Sequence, residues 1–91
     1  MKATDLTLLY PSNPLKSNYP DPDYEEEYQI ANGMTNVRLL DLDLLLNQGI
    51  LRLNQTLPPS TIIVYRGWML IPEKYSLLQS LIEHKNAALL T

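Results

Sequence analysis

Alternation between strand-like and helix-like segments is the feature that most constrains the fold of this chain. Short apolar segments, each ended by proline, glycine or a charged residue, are separated by segments with helical spacing or helix caps. This order predicts an α/β domain with a mostly parallel four-stranded sheet and right-handed crossovers. The strands lack polar and apolar alternation, as expected when helices cover both faces of a sheet. We therefore expect a small Rossmann-like domain of three layers, with the strand order 2-1-3-4. The predicted strands are Leu6–Tyr10, Val37–Leu42, Thr61–Tyr65 and Ala87–Leu90, and the predicted helices are residues 22–33, 44–48 and 72–85.

The first predicted helix is marked by its cap and by its charges. Asp21 can accept a hydrogen bond from the first turn, and Pro22 suits the first helical position. The carboxylates within residues 23–27 complement the positive end of the helix dipole, a role that we favour over cation binding. The side chains predicted to share the buried face are Tyr24, Tyr28 and Ala31.

Proline and glycine divide the rest of the chain. Four prolines from Pro11 to Pro22 predict a loop, because proline lacks an N–H donor and restricts the residue before it. Asp43 is the predicted N-cap of the second helix, which Gly49 ends. Residues 50–55 fit either a short strand or a connection.

Composition excludes several classes of chemistry. A chain of 91 residues allows one domain, residues 1–91. The absence of cysteine excludes disulfides, thiolate metal sites and cysteine nucleophiles, and a single histidine, His84, argues against a histidine metal site or a Ser-His-Asp triad. A net charge of -3 disfavours a generic nucleic-acid groove. No apolar run is long enough to span a bilayer, so we expect a cytoplasmic protein without a bound metal or cofactor.

Candidate binding residues follow the predicted strands. Ligands of open α/β sheets bind beyond the carboxyl ends of the strands. This rule selects Tyr10, Ser12 and Asn13 after the first strand, Asp43 after the second, and Arg66, Gly67 and Trp68 after the third.

Each candidate also has a structural interpretation. Arg66 can bind a carboxylate or phosphate and Trp68 can stack on a ring, but Trp68 can equally pack at the sheet edge while Arg66 pairs with Asp41 or Asp43. Ser12 and Asn13 can contact an anion or cap a turn. The aspartates can bind a ligand or cap the second helix.

Three segments resemble a known family. The segment Tyr65–Tyr75 (YRGWMLIPEKY) resembles the YRGWML-x-PE-x-Y segment of ATP-grasp proteins, in a clade named for conserved arginine and lysine nucleotide contacts. Tyr10–Leu15 (YPSNPL) is similar to that clade's opening YPS-x-PL, and Asp21–Glu27 (DPDYEEE) is similar to the D-x-x-Y/F-x-x-E that follows it. The three segments occur in the family's order.

This resemblance covers the pre-ATP-grasp domain, a small Rossmann-like domain that precedes the two ATP-clamping lobes. It implies that the lobes would lie beyond Thr91, so no catalytic residue is carried over. It implies for Ser12, Arg66, Gly67 and Trp68 a substrate-side or interdomain surface. The predicted function is thus a non-catalytic, stand-alone or truncated binding and association module related to ATP-dependent carboxylate–amine ligases.

The high leucine content favours association with a partner. Nineteen leucines are many for so small a core, and exposed apolar surface favours association. We expect a homodimer or a separately encoded ATP-grasp chain as partner, with no nucleic acid and no membrane. The alternative is a small enzyme or anion-binding protein that uses Arg66 and Ser12.

Overall fold

The computed structural model describes residues 6–58 and 60–90 and has the predicted α/β character. Within these ranges, five strands form one sheet with three α-helices. A short 3-10 turn, Pro22–Tyr24, precedes the first helix. The elements in chain order are β1 (Leu6–Asn13), β2 (Lys16–Pro20), α1 (Glu25–Asn32), β3 (Asn36–Leu40), α2 (Leu42–Gln48), β4 (Ile62–Tyr65), α3 (Pro72–Glu83) and β5 (Ala88–Leu89).

β1 has the most strand partners in the sheet. It pairs in parallel with β3 on one side and with β4 on the other, so that Leu8 lies opposite both Val37 and Val64. β4 pairs in parallel with β5. The carboxyl ends of β1, β3 and β4 therefore lie at the same end of the sheet, where parallel strands place their ligands.

A hairpin replaces part of the predicted proline-rich loop. β1 continues to Asn13 and pairs antiparallel with β2, with Ser12 opposite Pro20, so the prediction of a loop from Pro11 to Pro22 was wrong. Pro20 is tolerated in β2 because β2 is an edge strand, where a missing N–H need not remove a hydrogen bond of the sheet. Four of the five residues of β2 are exposed, which explains why no apolar pattern marks it.

Two apolar clusters pack against β1. Leu9 belongs to a cluster with residues of α2 and α3, including Leu45 and Leu78, whereas the adjacent Tyr10 belongs to a cluster with Ala31 of α1. Successive side chains of a strand point to opposite faces, so α1 and the α2–α3 pair cover different sides of β1. The predicted inner face of the first helix is confirmed, because the second cluster includes Tyr24, Tyr28 and Ala31.

Aspartates cap the 3-10 turn and α2, and several boundaries near them differ from prediction. Asp21 caps the 3-10 turn through Asp23 N, and the α-helix begins three residues later than expected, at Glu25. The N-cap of α2 is Asp41, whose Oδ1 accepts from Leu44 N at 3.1 Å; the prediction that Asp43 is the cap was wrong. The second strand ends at Leu40 rather than Leu42 because this helix begins earlier.

The second helix ends where predicted, whereas the last helix and the last strand are shorter than predicted. Gly49 ends α2 in the left-handed conformation, with φ of 67°. The ambiguous segment 50–55 contains one antiparallel bridge, between Leu53 and Leu40. α3 ends at Glu83, and β5 contains only two residues. No helix within residues 6–58 and 60–90 has both the length and the apolar character needed to cross a bilayer.

Candidate functional site at the carboxyl ends of β1 and β4

Backbone hydrogen bonds bring distant segments together at the ends of two central strands. Arg66 N donates to Leu9 O at 2.8 Å, which fixes the start of the Arg66–Trp68 segment beside β1. Asp21 N donates to Pro11 O at 2.9 Å, which fixes the start of the 3-10 turn beside the same strand. The start of the Arg66–Trp68 segment and the chain just before α1 are therefore both held against the end of β1.

Glu27 joins two of the candidate residues. Its Oε2 accepts hydrogen bonds from Tyr10 Oη at 2.8 Å and from Arg66 Nε at 2.7 Å. The tyrosine ring is fully buried, whereas the arginine and glutamate side chains are 53% and 41% exposed. The ion-pair partner of Arg66 is thus Glu27, and the expectation of pairing with Asp41 or Asp43 was wrong.

At neutral pH this arrangement keeps the Tyr10 hydroxyl protonated and the Glu27 carboxylate ionised. Burial, and then the bond to Glu27, raises the pKa of Tyr10 to about 12. The hydrogen bonds from Arg66 and Tyr10 lower the pKa of Glu27 below its ordinary value. General acid–base catalysis works best with a pKa near the operating pH. The pKa values of Tyr10 and Glu27 are both shifted further from neutral pH. The group of Tyr10, Glu27 and Arg66 is therefore better suited to a structural role than to proton transfer.

Trp68 is held by its ring nitrogen and by its backbone. Its Nε1 donates to Asp21 Oδ2 at 3.2 Å, and its carbonyl accepts from Tyr65 Oη at 2.8 Å. The indole meets the ring of Tyr24 edge-on, with centroids 5.3 Å apart and an interplanar angle of 83°, a favourable geometry for aromatic pairs. The Trp68 residue nevertheless remains 45% exposed.

Gly67 is required by a close approach of neighbouring atoms. A Cβ atom at this position would lie 2.6 Å from Tyr65 Oη and 2.9 Å from Pro11 Cδ. Any side chain would displace the tyrosine ring and disturb its bond to Trp68. The glycine therefore allows the chain to fold closely over the end of β1.

Asn13, Ser12 and Asp43, the remaining candidates, do not take part in the hydrogen bonds of Glu27 and Trp68. Asn13 Oδ1 accepts from Leu15 N at 2.8 Å, which is the turn-capping role considered as an alternative. Ser12 is buried and lines a cleft of about 170 Å³, whose polar lining includes Asp21, Asp41 and the exposed Asp43. Arg66 does not line this cleft, so Ser12 and Arg66 are not brought together. Carboxylates around Ser12 make the cleft unfavourable for an anion.

Exposed apolar side chains adjoin this network. Met69 and Ile71 are 97% and 58% exposed. Met69 lines a groove of about 510 Å³, together with Tyr24, Trp68 and Tyr75. Polar side chains of this surface thus bind one another, while large apolar side chains face outward.

Three residues of this surface were missed as site residues by sequence reasoning. Asp21, Tyr24 and Glu27 were assigned to a helix start and its solvated acidic face. Helical spacing could have indicated Glu27, because residues three apart lie on the same helix face and Tyr24 was already placed on the inner face. The cap function of Asp21 gave no sign that its second oxygen would accept from Trp68.

Comparisons with known proteins identify no relative. No family model, no curated protein and no solved structure matches this chain. Within the described ranges, no group of three or more histidine, aspartate or glutamate side chains is arranged to hold a metal ion.

Proposed function

We propose that this chain is a Rossmann-like pre-ATP-grasp domain that acts, without catalysis of its own, as a binding and association module. Its chemistry would belong to a partner that carries ATP-dependent carboxylate–amine ligase activity. The proposal places this chain in the cytoplasm, with either a second copy or a separately encoded ATP-grasp chain as partner.

The convergence of the three family-like segments supports this assignment. Tyr10–Leu15 contacts Asp21–Glu27 through the Pro11–Asp21 backbone bond and the Tyr10–Glu27 side-chain bond. Tyr65–Tyr75 contacts Asp21–Glu27 through the Arg66–Glu27 and Trp68–Asp21 bonds. Segments that resemble one family in sequence therefore form one surface in space, as expected if the resemblance reflects a shared domain.

One observation carries the association function. The principal polar groups of the surface are hydrogen-bonded to each other, whereas Met69, Ile71 and much of Trp68 are exposed. Catalysis needs polar groups that can reach a substrate, and exposed apolar groups beside a groove mark an interaction surface. The surface is therefore better suited to burying a partner's apolar side chains than to chemistry.

Sedimentation velocity of Met69→Lys, with Met34→Lys as the matched control, tests this proposal. Both methionines are exposed, at 97% and 80%, but Met34 lies in the turn after α1, away from the groove. We expect Met69→Lys to weaken self-association by about tenfold or more and Met34→Lys to leave it unchanged. Equal effects of the two variants would contradict a role for this surface.

A monomer at every concentration would exclude the homodimer and leave the ATP-grasp partner. The DNA immediately downstream of this gene is the place to search for such a chain, and co-purification with it tests this version. We expect Met69→Lys, and not Met34→Lys, to abolish co-purification. Failure to co-purify with such a chain, together with the monomer result, would overturn the association function.

Nucleotide turnover tests the non-catalytic part of the proposal. We expect the purified chain to hydrolyse no ATP in the presence of magnesium. Magnesium-dependent turnover that Arg66→Ala abolishes would instead support the alternative of a small enzyme using Arg66.

A further inference from the structure

A single antiparallel bridge at Leu53 lies beyond β3, just before the chain bends at Asn54 and Gln55. Asp41 N donates to Arg52 O at 3.0 Å and Asn54 N donates to Leu39 O at 3.1 Å. These bonds flank an antiparallel bridge between Leu40 and Leu53. The chain around Leu53 thus covers the outer side of β3 and provides a new edge.

The pattern of these hydrogen bonds determines which way the backbone N–H and C=O of Leu53 point. Leu40 and Leu53 form a non-hydrogen-bonded antiparallel pair, because the bonds join their neighbours instead. The N–H and C=O of Leu53 therefore point away from β3, and no hydrogen bond within the described ranges engages them. Such an edge is a template for another strand.

Two exposed cations adjoin this edge. Arg52 and Lys85 line a groove of about 560 Å³ that residues 51–57 otherwise form. Neither side chain belongs to an ion pair within residues 6–58 and 60–90. The described residues that line the groove include no aspartate or glutamate, so the lining is locally positive on a chain whose net charge is -3.

Leucine side chains supply the apolar part of the groove. Leu51, Leu53 and Leu57 line it while also packing against the larger core cluster. Because all three are only partly buried, they offer apolar surface beside an open backbone edge. An incoming strand could place alternate side chains on this surface.

We propose that an extended acidic peptide binds along the outer edge of residues 51–53 as an additional strand. The backbone of Leu53 pairs with the peptide backbone, the leucines contact its apolar side chains, and Arg52 and Lys85 pair with its carboxylates. Strand addition of this kind derives affinity from main-chain bonds and specificity from side chains. Charge complementarity selects an acidic peptide, and the inference is independent of the proposed function because it concerns a different surface.

Binding of a blocked, fluorescent heptapeptide of alternating valine and aspartate tests this inference by anisotropy. The control peptides carry lysine in place of aspartate, or N-methyl groups on alternate amides. We expect each control peptide to bind about tenfold or more weakly than the acidic peptide. Equal binding of the lysine peptide would overturn the charge argument, and equal binding of the methylated peptide would overturn strand pairing.

Charge-reversal variants locate the site. Arg52→Glu and Lys85→Glu alter exposed side chains that form no ion pair with the described residues, so the fold should stay intact. Lys16→Glu on β2 is the control for charge alone. We expect about tenfold weaker binding for the first two variants and less than about twofold for the control. Amide hydrogen exchange of Leu53 should slow when the peptide binds. No binding, or binding that leaves this amide unprotected, would overturn the inference.

Discussion

Arg66 and Glu27 lie 39 residues apart in the sequence, yet Arg66 Nε donates to Glu27 Oε2 at 2.7 Å. This ion pair joins the residue after β4 to α1, and the buried Tyr10 of β1 donates to the same oxygen. Exposed ion pairs contribute only about 0–1 kcal/mol to stability. We therefore expect removal of the Tyr10 hydroxyl to lower the stability of the domain more than removal of the exposed ion pair.

Tyr10→Phe should lower the free energy of unfolding by about 1 kcal/mol, because it deletes the hydroxyl that donates to Glu27 while keeping the buried ring. For a domain of this size, that loss corresponds to a decrease in Tm of about 4–8 °C. Tyr28→Phe is the matched control, because Tyr28 packs edge-on against Tyr10 through its ring. Equal losses in the two variants would show that the Tyr10 hydroxyl has no special role.

Glu27→Gln should change how stability depends on acid. The hydrogen bonds from Arg66 and Tyr10 lower the pKa of Glu27 from its ordinary value of 4.5. Below pH 4.5 the unfolded chain therefore binds more protons at this residue than the folded chain, and stability falls as the pH falls through the lowered folded pKa. Urea unfolding between neutral pH and acid should show a shallower decline for Glu27→Gln. Glu26→Gln, at an exposed position of α1, should keep the original slope; identical slopes for both variants would contradict the prediction.

Gly67→Ala and Gly33→Ala should have opposite signs. At Gly67 the new Cβ would lie under 3 Å from Tyr65 and Pro11, so we expect a loss of about 1–3 kcal/mol. At Gly33 the nearest atom is 3.6 Å away and φ is -82°, so alanine should stabilise by about 0.4–1 kcal/mol. Chemical unfolding measures both effects. Tryptophan fluorescence of Gly67→Ala should also change, because the tyrosine that must move donates to the Trp68 carbonyl.

Asp41→Ala should destabilise the domain more than Asp43→Ala. Asp41 caps α2, and loss of a capping side chain costs about 1 kcal/mol. Asp43 is an exposed residue of the first turn, where losing a favourable charge is offset by the better helix propensity of alanine. We expect a change below about 0.5 kcal/mol for Asp43→Ala in thermal unfolding, and the reverse ranking would restore Asp43 as the cap.

Strong local patterns were predicted well from the sequence. The run of β-branched residues at Thr61–Tyr65 corresponds to β4, and Pro72 begins α3 as predicted. The spacing of Tyr24, Tyr28 and Ala31 identified the buried face of α1. These features depend on residues close in sequence, where periodicity and capping act directly.

The hairpin of β1 and β2 could not be predicted in the same way. The prolines and exposed polar residues of β2 and the turn before it have the composition of a loop. β2 is a strand because it pairs with the end of β1. The partner of Arg66 was missed for a related reason. Glu27 lies in a run of carboxylates that individually look alike, and the position of α1 on the sheet determines which one faces Arg66.

The central position of β1 also has a consequence for how the chain folds. β1 is synthesised before the other described strands, yet it pairs with β4, which lies more than fifty residues later in the chain. The paired residues run from Leu6 with Ile62 to Leu9 with Tyr65. Closing so long a loop is entropically costly and slows folding relative to local pairing. A nascent chain halted before Ile62 would leave one edge of β1 unpaired and Leu9 without its β4 neighbour, so we expect chaperone binding at that stage and folding after β4 leaves the ribosome.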